Sequence, residues 1–220
     1  MCGLAGAWHQ LAGSAEALEA LGLRMGAAIA HRGPDDAGAW SEPAAGLVLA
    51  HRRLSILDLS PEGHQPMASA DGRWVVAFNG EIYNHGALRE ELRALGHAFR
   101  GHSDTEVLLA ALAQWGVEAA LERSNGMLAL AAWDRRERVL WLARDRLGKK
   151  PLYYGRASDG SLVYGSELAA LRAHPALRPD VDPDALALLL RLDYIPAPHC
   201  ILRGVRKLPA GQLLRIDAAA

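Results

Sequence analysis

Cys2 directly follows the initiator methionine, so removal of Met1 leaves a thiol and a free α-amine on one residue. A thiol titrates near about pH 8.5 and an α-amine near about pH 8, so the two groups can exchange a proton at neutral pH. Such a residue combines a nucleophile with its own base. A small second residue also simply permits removal of Met1, so position alone is weak support. Residues 3–6 read GLAG, which favours a strand that begins at once and holds Cys2 in the fold.

Other reactive residue types have simpler interpretations. Cys200 is expected to be a small buried apolar residue, because nothing reactive surrounds it in the sequence. The Asn79-Gly80 pair is equally consistent with a tight turn after a strand and with a pair of hydrogen-bond donors. The nine histidines include no HxxxH or CxxC spacing, so no metal site is predicted. No GxGxxG or GxxxxGK pattern follows a strand either.

The composition limits the class of protein. Half of the 220 residues are apolar, enough for one large domain or two small ones. The net charge is -1 and the basic residues are scattered among acids, so nucleic-acid binding is not indicated. Apolar runs such as residues 127–133 are much shorter than a membrane span, and the N-terminus lacks the pattern of a signal peptide. We therefore expect a cytoplasmic protein without membrane contact, in which two cysteines remain thiols.

Short apolar runs that end at Gly, Pro or Asp predict most of the strands. They cover residues 46–51, 74–79, 127–133, 139–144, 152–155 and 162–165. Turn compositions at 134–137 and 158–160 predict two antiparallel hairpins. Because the runs are almost continuously apolar, both faces of the sheets should be covered.

Helical periodicity is found at 15–30, 87–95, 104–115 and 183–192. Ser103 is a predicted N-cap, and Glu106 three residues later predicts a capping box. Segments 177–184 and 193–200 look like connections, and no obvious closing element follows them. Arg144, Asp145 and Arg146 are expected to form a structural ion-pair cluster near the site.

Eight ordered blocks resemble the class II glutamine amidotransferases, and within them the asparagine synthases. The blocks are MCGLAG, HRGPDDAG, HRRLSILDLSPEGHQPM, FNGEIYNH, SDTEV, NGMLALAAWD, ARDRLGKKPLYYG and YGSELAAL. MCG alone is a weak signal. RLSI followed by GHQPM, FNGEIYN and SDTEV is typical of asparagine-synthase-like members and separates them from amidotransferases of sugar-phosphate and purine pathways.

The resemblance implies a glutamine site. Arg53 would hold the α-carboxylate with its planar guanidinium, Asp104 would pair with the α-ammonium, and Glu81 would lie along the substrate. The Asn79 side chain and the Gly80 backbone N–H would form the oxyanion hole. Further backbone contacts are implied for Leu54, Ser55, Ile56 and Leu57. The Cys2 thiolate would attack the glutamine amide, release ammonia and leave a thioester that water resolves to glutamate.

The resemblance also implies an α+β fold, the four-layer αββα sandwich of the N-terminal-nucleophile hydrolases with two antiparallel sheets. Residues 2–217 would form the glutaminase domain, and about 175–220 would lead toward a C-terminal synthetase domain. ATP and Mg would bind only in that domain, since no SGGxDS loop occurs here, and no cofactor is expected in this one. The expected partners are glutamine and the synthetase domain, with a homodimer possible.

Two alternatives remain open. A related amidotransferase could use the same donor domain with another acceptor, as in exopolysaccharide or peptide modification. The fold could also persist as a non-catalytic scaffold, although every implied site residue is present, Cys2 among them.

Overall fold

The computed structural model describes residues 1–9 and 11–217, and this part of the chain contains eleven strands and six α-helices. The strands are β1 (Gly3–Trp8), β2 (Asp36–Glu42), β3 (Leu47–Arg53), β4 (Met67–Ala68), β5 (Trp74–Ile82), β6 (Gly126–Asp134), β7 (Val139–Arg144), β8 (Tyr153–Arg156), β9 (Leu162–Gly165), β10 (Val205–Lys207) and β11 (Leu213–Ile216). The helices are α1 (Ala15–Ala27), α2 (His85–Ala94), α3 (Asp104–Trp115), α4 (Val117–Arg123), α5 (Leu168–Arg172) and α6 (Pro183–Leu192).

The strands form two antiparallel sheets. The first has the order β10-β8-β9-β1-β3-β2, and the second has the order β11-β7-β6-β5-β4. The N-terminal strand β1 is therefore an inner strand, paired with β3 on one side and with β9 on the other. This placement fixes the start of the chain in the middle of a sheet.

Apolar side chains from the facing sides of the two sheets form the central core. Leu4 and Trp8 of β1 meet Val75 of β5 and Trp133 of β6, and the two tryptophan rings pack edge to face with centroids 5.2 Å apart. Helices α1 and α5 cover the outer face of the first sheet, and α2, α3 and α4 cover the outer face of the second. The predicted α+β fold with two covered antiparallel sheets in four layers is confirmed.

Both predicted hairpins are confirmed, as β6-β7 and β8-β9. The first turn follows Asp134, whose Oδ1 accepts the backbone N–H groups of Arg136 at 3.0 Å and Glu137 at 3.2 Å. The bounds of β7, β9, α3 and α6 agree with the predicted ranges. The predicted helix at 15–30 ends earlier, at Ala27, and a single 3-10 turn follows at Ala30–Arg32.

The N-cap of α3 is confirmed, but the capping box is only half right. Ser103 Oγ accepts the Glu106 backbone N–H at 3.3 Å. The Glu106 carboxylate does not return to Ser103; it accepts the N–H groups of Arg100 at 2.7 Å and Gly101 at 3.0 Å. It thereby ties the preceding loop to the helix.

The turn interpretation of Asn79 and Gly80 is wrong, because both lie within β5 and pair with Ala129 and Leu128 of β6. Residues 177–182 and 193–200 are irregular, as expected of connections. Two strands that were not predicted follow them: β10 pairs with β8, and β11 pairs with β7. These two strands add one edge strand to each sheet. In the described residues no helix is long and apolar enough to cross a membrane.

Candidate active site

Cys2 directly precedes β1, and neighbouring elements hold its backbone. The register places Gly3 opposite Arg52, so Cys2 reaches the end of β3. Arg32 Nε donates to the Cys2 carbonyl at 2.9 Å. The thiol lies against Leu54, whose backbone N–H donates to Sγ at 3.4 Å and whose carbonyl accepts from Sγ at 3.5 Å. A residue close to the chain end is thus held in one position.

One cavity brings together most of the predicted site residues. The predicted residues that line it are Cys2, Arg53, Leu54, Ile56, Leu57, Asn79, Gly80, Glu81 and Asp104. Ser55 does not line it, and its backbone N–H donates instead to Asp35 Oδ2 at 2.8 Å. Met1 also lines the cavity, so its removal opens space beside Cys2.

Asn79 is a buried amide with unused hydrogen-bonding capacity. Its side chain is 1% exposed, and Nδ2 has no hydrogen-bond partner among the described residues. The preceding residue is fixed on both sides: Phe78 N–H donates to Gln65 Oε1 at 2.7 Å, and the Phe78 carbonyl lies 3.0 Å from His51 Nε2. A buried unpaired donor is costly unless a ligand satisfies it. The Asn79 amide is therefore available to an oxygen in the cavity.

Gly80 follows Asn79 and cannot carry a side chain. A Cβ at Gly80 would collide with the Met127 carbonyl and the Phe78 ring. Glycine therefore lets β5 lie close to β6 and leaves the backbone beside Asn79 accessible from the cavity.

Arg53 lies at the end of β3 and is 8% exposed. Its guanidinium donates to the carbonyl of Ser60 at 3.0 Å and to that of Asp58. Hydrogen bonds from Ser60 and from the His102 backbone lower the pKa of Asp58 to about 2, which keeps this carboxyl ionised. Gly63 packs on the guanidinium where a Cβ would not fit. The loop after β3 thus orients a fixed positive charge at the cavity.

Asp104 begins α3 and supplies a negative charge to the same cavity. Its Oδ2 accepts the Ile82 backbone N–H at 2.9 Å. Burial raises the pKa of Asp104, because the charged form loses hydration, and the Ile82 hydrogen bond opposes this effect. A cationic ligand group in the cavity would favour the ionised form. Arg53 and Asp104 place opposite charges at the cavity, as a zwitterion requires.

Several residues of the cavity were not predicted from the sequence, among them Gln65 and Lys150. Gln65 donates from Nε2 to Thr105 Oγ1 at 3.2 Å and so links β5 to α3. Lys150 is buried, and its Nζ lies 3.4 Å from Met1 Sδ. Both belong to blocks that the resemblance used, GHQPM and GKKPLYYG, but their residue types alone indicate no role.

The predicted ion-pair cluster at 144–146 is wrong in kind, because no ion pair joins these described residues. Arg144 donates to three backbone carbonyls, including that of Lys150 at 2.7 Å. Asp145 accepts backbone N–H groups, and Arg146 donates to the carbonyls of Glu122 and Ser124. The segment is structural, but it stabilises a loop through main-chain groups.

Cys200 is buried, as predicted, and 5% exposed. Burial raises the pKa of its thiol, which makes it less reactive than an exposed thiol. A second, larger cavity of about 320 Å³ includes Glu118, Arg146 and Leu213 in its lining but none of the predicted site residues. No cluster of three or more potential metal ligands is found in residues 1–9 and 11–217.

The family described as glutamine amidotransferase domain matches residues 1–220. This chain belongs to the class II glutamine amidotransferase family. Asparagine synthetase [glutamine-hydrolyzing] 3 of Bacillus subtilis (strain 168) is 37% identical over 215 residues, which cover 94% of this chain and 33% of that protein. Asparagine synthetase B [glutamine-hydrolyzing] of Escherichia coli (strain K12) is 39% identical over 171 residues, 78% of this chain and 30% of that protein.

Solved structures show that this amidotransferase domain shares its fold with other amidotransferases. The allosteric regulatory enzyme of purine biosynthesis superposes with a TM-score of 0.70 at 20% identity, covering 98% of this chain and 47% of that one. Glutamine phosphoribosylpyrophosphate amidotransferase from B. subtilis, complexed with ADP and GMP, gives 0.66 at 22% identity, covering 82% and 45%. The amidotransferase domain spans about a third of the length of the relatives that its sequence matches.

Proposed function

We propose that this chain hydrolyses glutamine to glutamate and ammonia, with the mature Cys2 as the nucleophile. The observation that carries the proposal is the single cavity in which the Cys2 thiol, the unpartnered Asn79 amide, Arg53 and Asp104 meet. Removal of Met1 supplies the α-amine that acts as the base. Residues 2–217 form the glutaminase domain in this proposal.

In the first half-reaction the thiol proton passes to the Cys2 amine and the sulfur attacks the amide carbon. The Asn79 amide and the Gly80 N–H stabilise the oxyanion that forms, as preorganised donors do. The C–N bond then breaks, and the amine returns its proton to the departing nitrogen, which leaves as ammonia. Water next attacks the thioester carbonyl, releasing glutamate and restoring the thiol.

Charge complementarity supports glutamine as the substrate. The Arg53 guanidinium suits the α-carboxylate, and the Asp104 carboxylate suits the α-ammonium. Glu81, beside Gly80 in β5, lies along the same wall. A simple amide satisfies neither charge, so its hydrolysis is expected to be much slower than that of glutamine.

We further propose that the ammonia serves asparagine synthesis. The relatives named above are asparagine synthetases, and their additional length would hold a C-terminal synthetase domain that binds ATP and Mg. In this proposal residues 175–220 lead toward that domain, and the glutaminase domain itself needs no cofactor. A reducing compartment such as the cytoplasm would keep the Cys2 thiol free.

Cys2→Ala tests the nucleophile. Ammonia release from glutamine should fall by more than about 1,000-fold, because the attacking atom is lost while the oxyanion donors remain. Ala at position 2 still permits removal of Met1, which mass spectrometry can verify in both proteins. Cys200→Ala, which removes a buried thiol outside the cavity, should keep full activity. Appreciable ammonia release by Cys2→Ala would refute the assignment.

A further inference from the structure

Lys150 is a buried cation at the edge of the glutamine cavity. It is 6% exposed, lines the cavity with Cys2, and its Nζ contacts Met1 Sδ at 3.4 Å. None of the ion pairs found in the described residues includes Lys150. A thioether sulfur is a weak acceptor, and a buried charge without an acidic partner is costly. Packing alone does not account for a lysine at this position.

The backbone of Lys150 is fixed from two sides. Its N–H donates to Asp145 Oδ2 at 3.0 Å, and its carbonyl accepts from Arg144 Nε at 2.7 Å. The adjacent Lys149 is exposed to solvent. The loop therefore selects one of two neighbouring lysines and directs its ammonium to the start of the chain.

We propose that Lys150 is a positioning residue for the mature N-terminus, acting on the protonation of Cys2 after Met1 is removed. Loss of Met1 removes the sulfur that Nζ contacts and leaves the ammonium in the cavity that the mature Cys2 lines. A nearby positive charge disfavours a second ammonium and favours a thiolate. Both effects keep Cys2 in its reactive form. The inference rests on the proposed function, because it assigns a role within the same site.

Other charges also face Cys2 and must be accounted for. The charged residues of the cavity and of the Cys2 backbone contact are Arg32, Arg53, Asp58, Glu81, Asp104 and Glu167. Arg32 is paired with Glu167 at 2.7 Å, and Arg53 is bound to carbonyls. A substitution at Lys150 leaves all of these in place, so the difference from the wild-type protein isolates its charge.

The first test is alkylation of Cys2 by iodoacetamide, followed by mass spectrometry from pH 5 to 10. Lys150→Met should move the midpoint of the rate profile to higher pH by about one unit, because the thiolate loses its cation. Lys149→Met, the matched control, should leave the midpoint unchanged. Lys150→Gln is a second neutral variant should Lys150→Met fold poorly, and Lys150→Arg should keep the wild-type midpoint.

The second test is the pH dependence of kcat/KM for glutamine. Lys150→Met should lower kcat/KM at pH 7 by about tenfold and move the acid limb upward by about one pH unit, as the alkylation profile does. Lys150→Arg should return the acid limb of the kcat/KM profile to its wild-type pH. A purely structural role predicts a uniform loss at every pH, and that outcome overturns the inference. An unchanged alkylation midpoint in the folded neutral variants overturns it too.

The two readouts separate this inference from the proposed function. Alkylation does not require catalysis, so a wild-type protein that releases no ammonia refutes glutamine hydrolysis alone. In that case the Cys2 alkylation midpoint still decides the role of Lys150. Cys200 is buried and lies outside the cavity, so it should stay unmodified in the folded protein, and its alkylation in the same spectra would report unfolding.

Discussion

Asp104 and Asp145 have the same solvent exposure, 6% each, but Asp104 lies deeper in the protein and the two carboxylates have different hydrogen-bond partners. Asp145 accepts four backbone N–H groups, from Leu128, Leu147, Lys149 and Lys150. Burial alone would raise the pKa of Asp145, but these donors outweigh it and lower the pKa. At Asp104 burial prevails and raises the pKa, since the Ile82 N–H and local backbone groups compensate only in part.

The difference separates a structural carboxylate from one that is available to a ligand. Four main-chain N–H groups occupy the acceptor positions of Asp145, so it stabilises its loop but has little capacity left to bind a ligand. The hydrogen bonds of Asp104 offset only part of the cost of burying its charge, and this carboxylate faces the cavity. An ammonium group bound there would supply the missing interaction. Asn79 follows the same pattern with its unpartnered Nδ2. Asp104 and Asn79 therefore each have interaction capacity left for a ligand in the cavity.

Asp104→Asn is expected to affect activity more strongly than any substitution at Asp145 or His51. Asn keeps an oxygen for the Ile82 N–H but loses the charge for the α-ammonium, so KM for glutamine should rise about 100-fold, as for a charged hydrogen bond. Steady-state ammonia release measures this. A glutamine analogue without the α-amine should lose nothing on this substitution. Equal losses for both substrates would contradict the assignment.

The stability of Asp104→Asn provides an independent check. The folded pKa lies above the unfolded value of 3.8, so stability falls as pH rises through that window, and the cost persists at neutral pH. Removing the charge should therefore keep or raise the free energy of unfolding at pH 7. A loss of stability in urea unfolding would place Asp104 with Asp145 as a structural residue.

Asp145→Asn should show the opposite behaviour. One amide oxygen cannot replace a carboxylate that accepts four N–H groups, so the free energy of unfolding should fall by about 2 kcal/mol at pH 7. Under conditions in which the variant is folded, its KM for glutamine should stay within about threefold of the wild-type value. The folded pKa of Asp145 is lowered, so its stabilisation is present above pH 3.8 and lost as pH falls through the folded value.

Measuring the free energy of unfolding of the wild-type protein and of Asp145→Asn at decreasing pH tests whether the charge of Asp145 causes the stabilisation. In strong acid the wild-type protein should be no more stable than Asp145→Asn, because protonation of Asp145 removes the charge that the substitution also removes. A stability difference that is constant from pH 7 to pH 2 would show that packing of the side chain matters more than its charge.

Sequence patterns predicted the elements that local signals delimit. Ser103 and Gly116 bound α3, and Asp134 begins the β6-β7 turn, so these ranges were correct. Strands β10 and β11 were not predicted, because three or four residues at a sheet edge carry no clear pattern. Their partners lie 50 or more residues earlier, as for Val205 opposite Gly155 and Leu213 opposite Ala143. Long-range pairing defines these strands.

The site was predictable only in part. The resemblance named Cys2, Arg53 and Asp104, and the fold brings them into one cavity. Lys149 and Lys150 have the same side chain, and no sequence signal distinguishes the exposed residue from the buried one. The hydrogen bonds of Asp145 and Arg144 make that distinction, and they form only when the loop packs against β6 and residue 208.

His51 is a buried polar residue that does not line the cavity, although one of its ring nitrogens lacks a hydrogen-bond partner among the described residues. Its Nε2 lies 3.0 Å from the Phe78 carbonyl, whereas Nδ1 has no partner among the described residues. Burial lowers the pKa of His51 to about 4. The folded state therefore resists protonation below the unfolded value of 6.5, and its stability falls as pH decreases from 6.5 toward 4.

Between pH 7 and pH 5 this group should reduce the free energy of unfolding by about 2 kcal/mol, and His51→Gln should lack that slope. Gln can donate to the Phe78 carbonyl without titrating, so urea unfolding at the two pH values isolates the proton. KM for glutamine should remain within about threefold of wild type. A large rise in KM would mean that His51 also serves the site although it does not line the cavity, and the distinction between cavity-lining and structural polar groups would then fail.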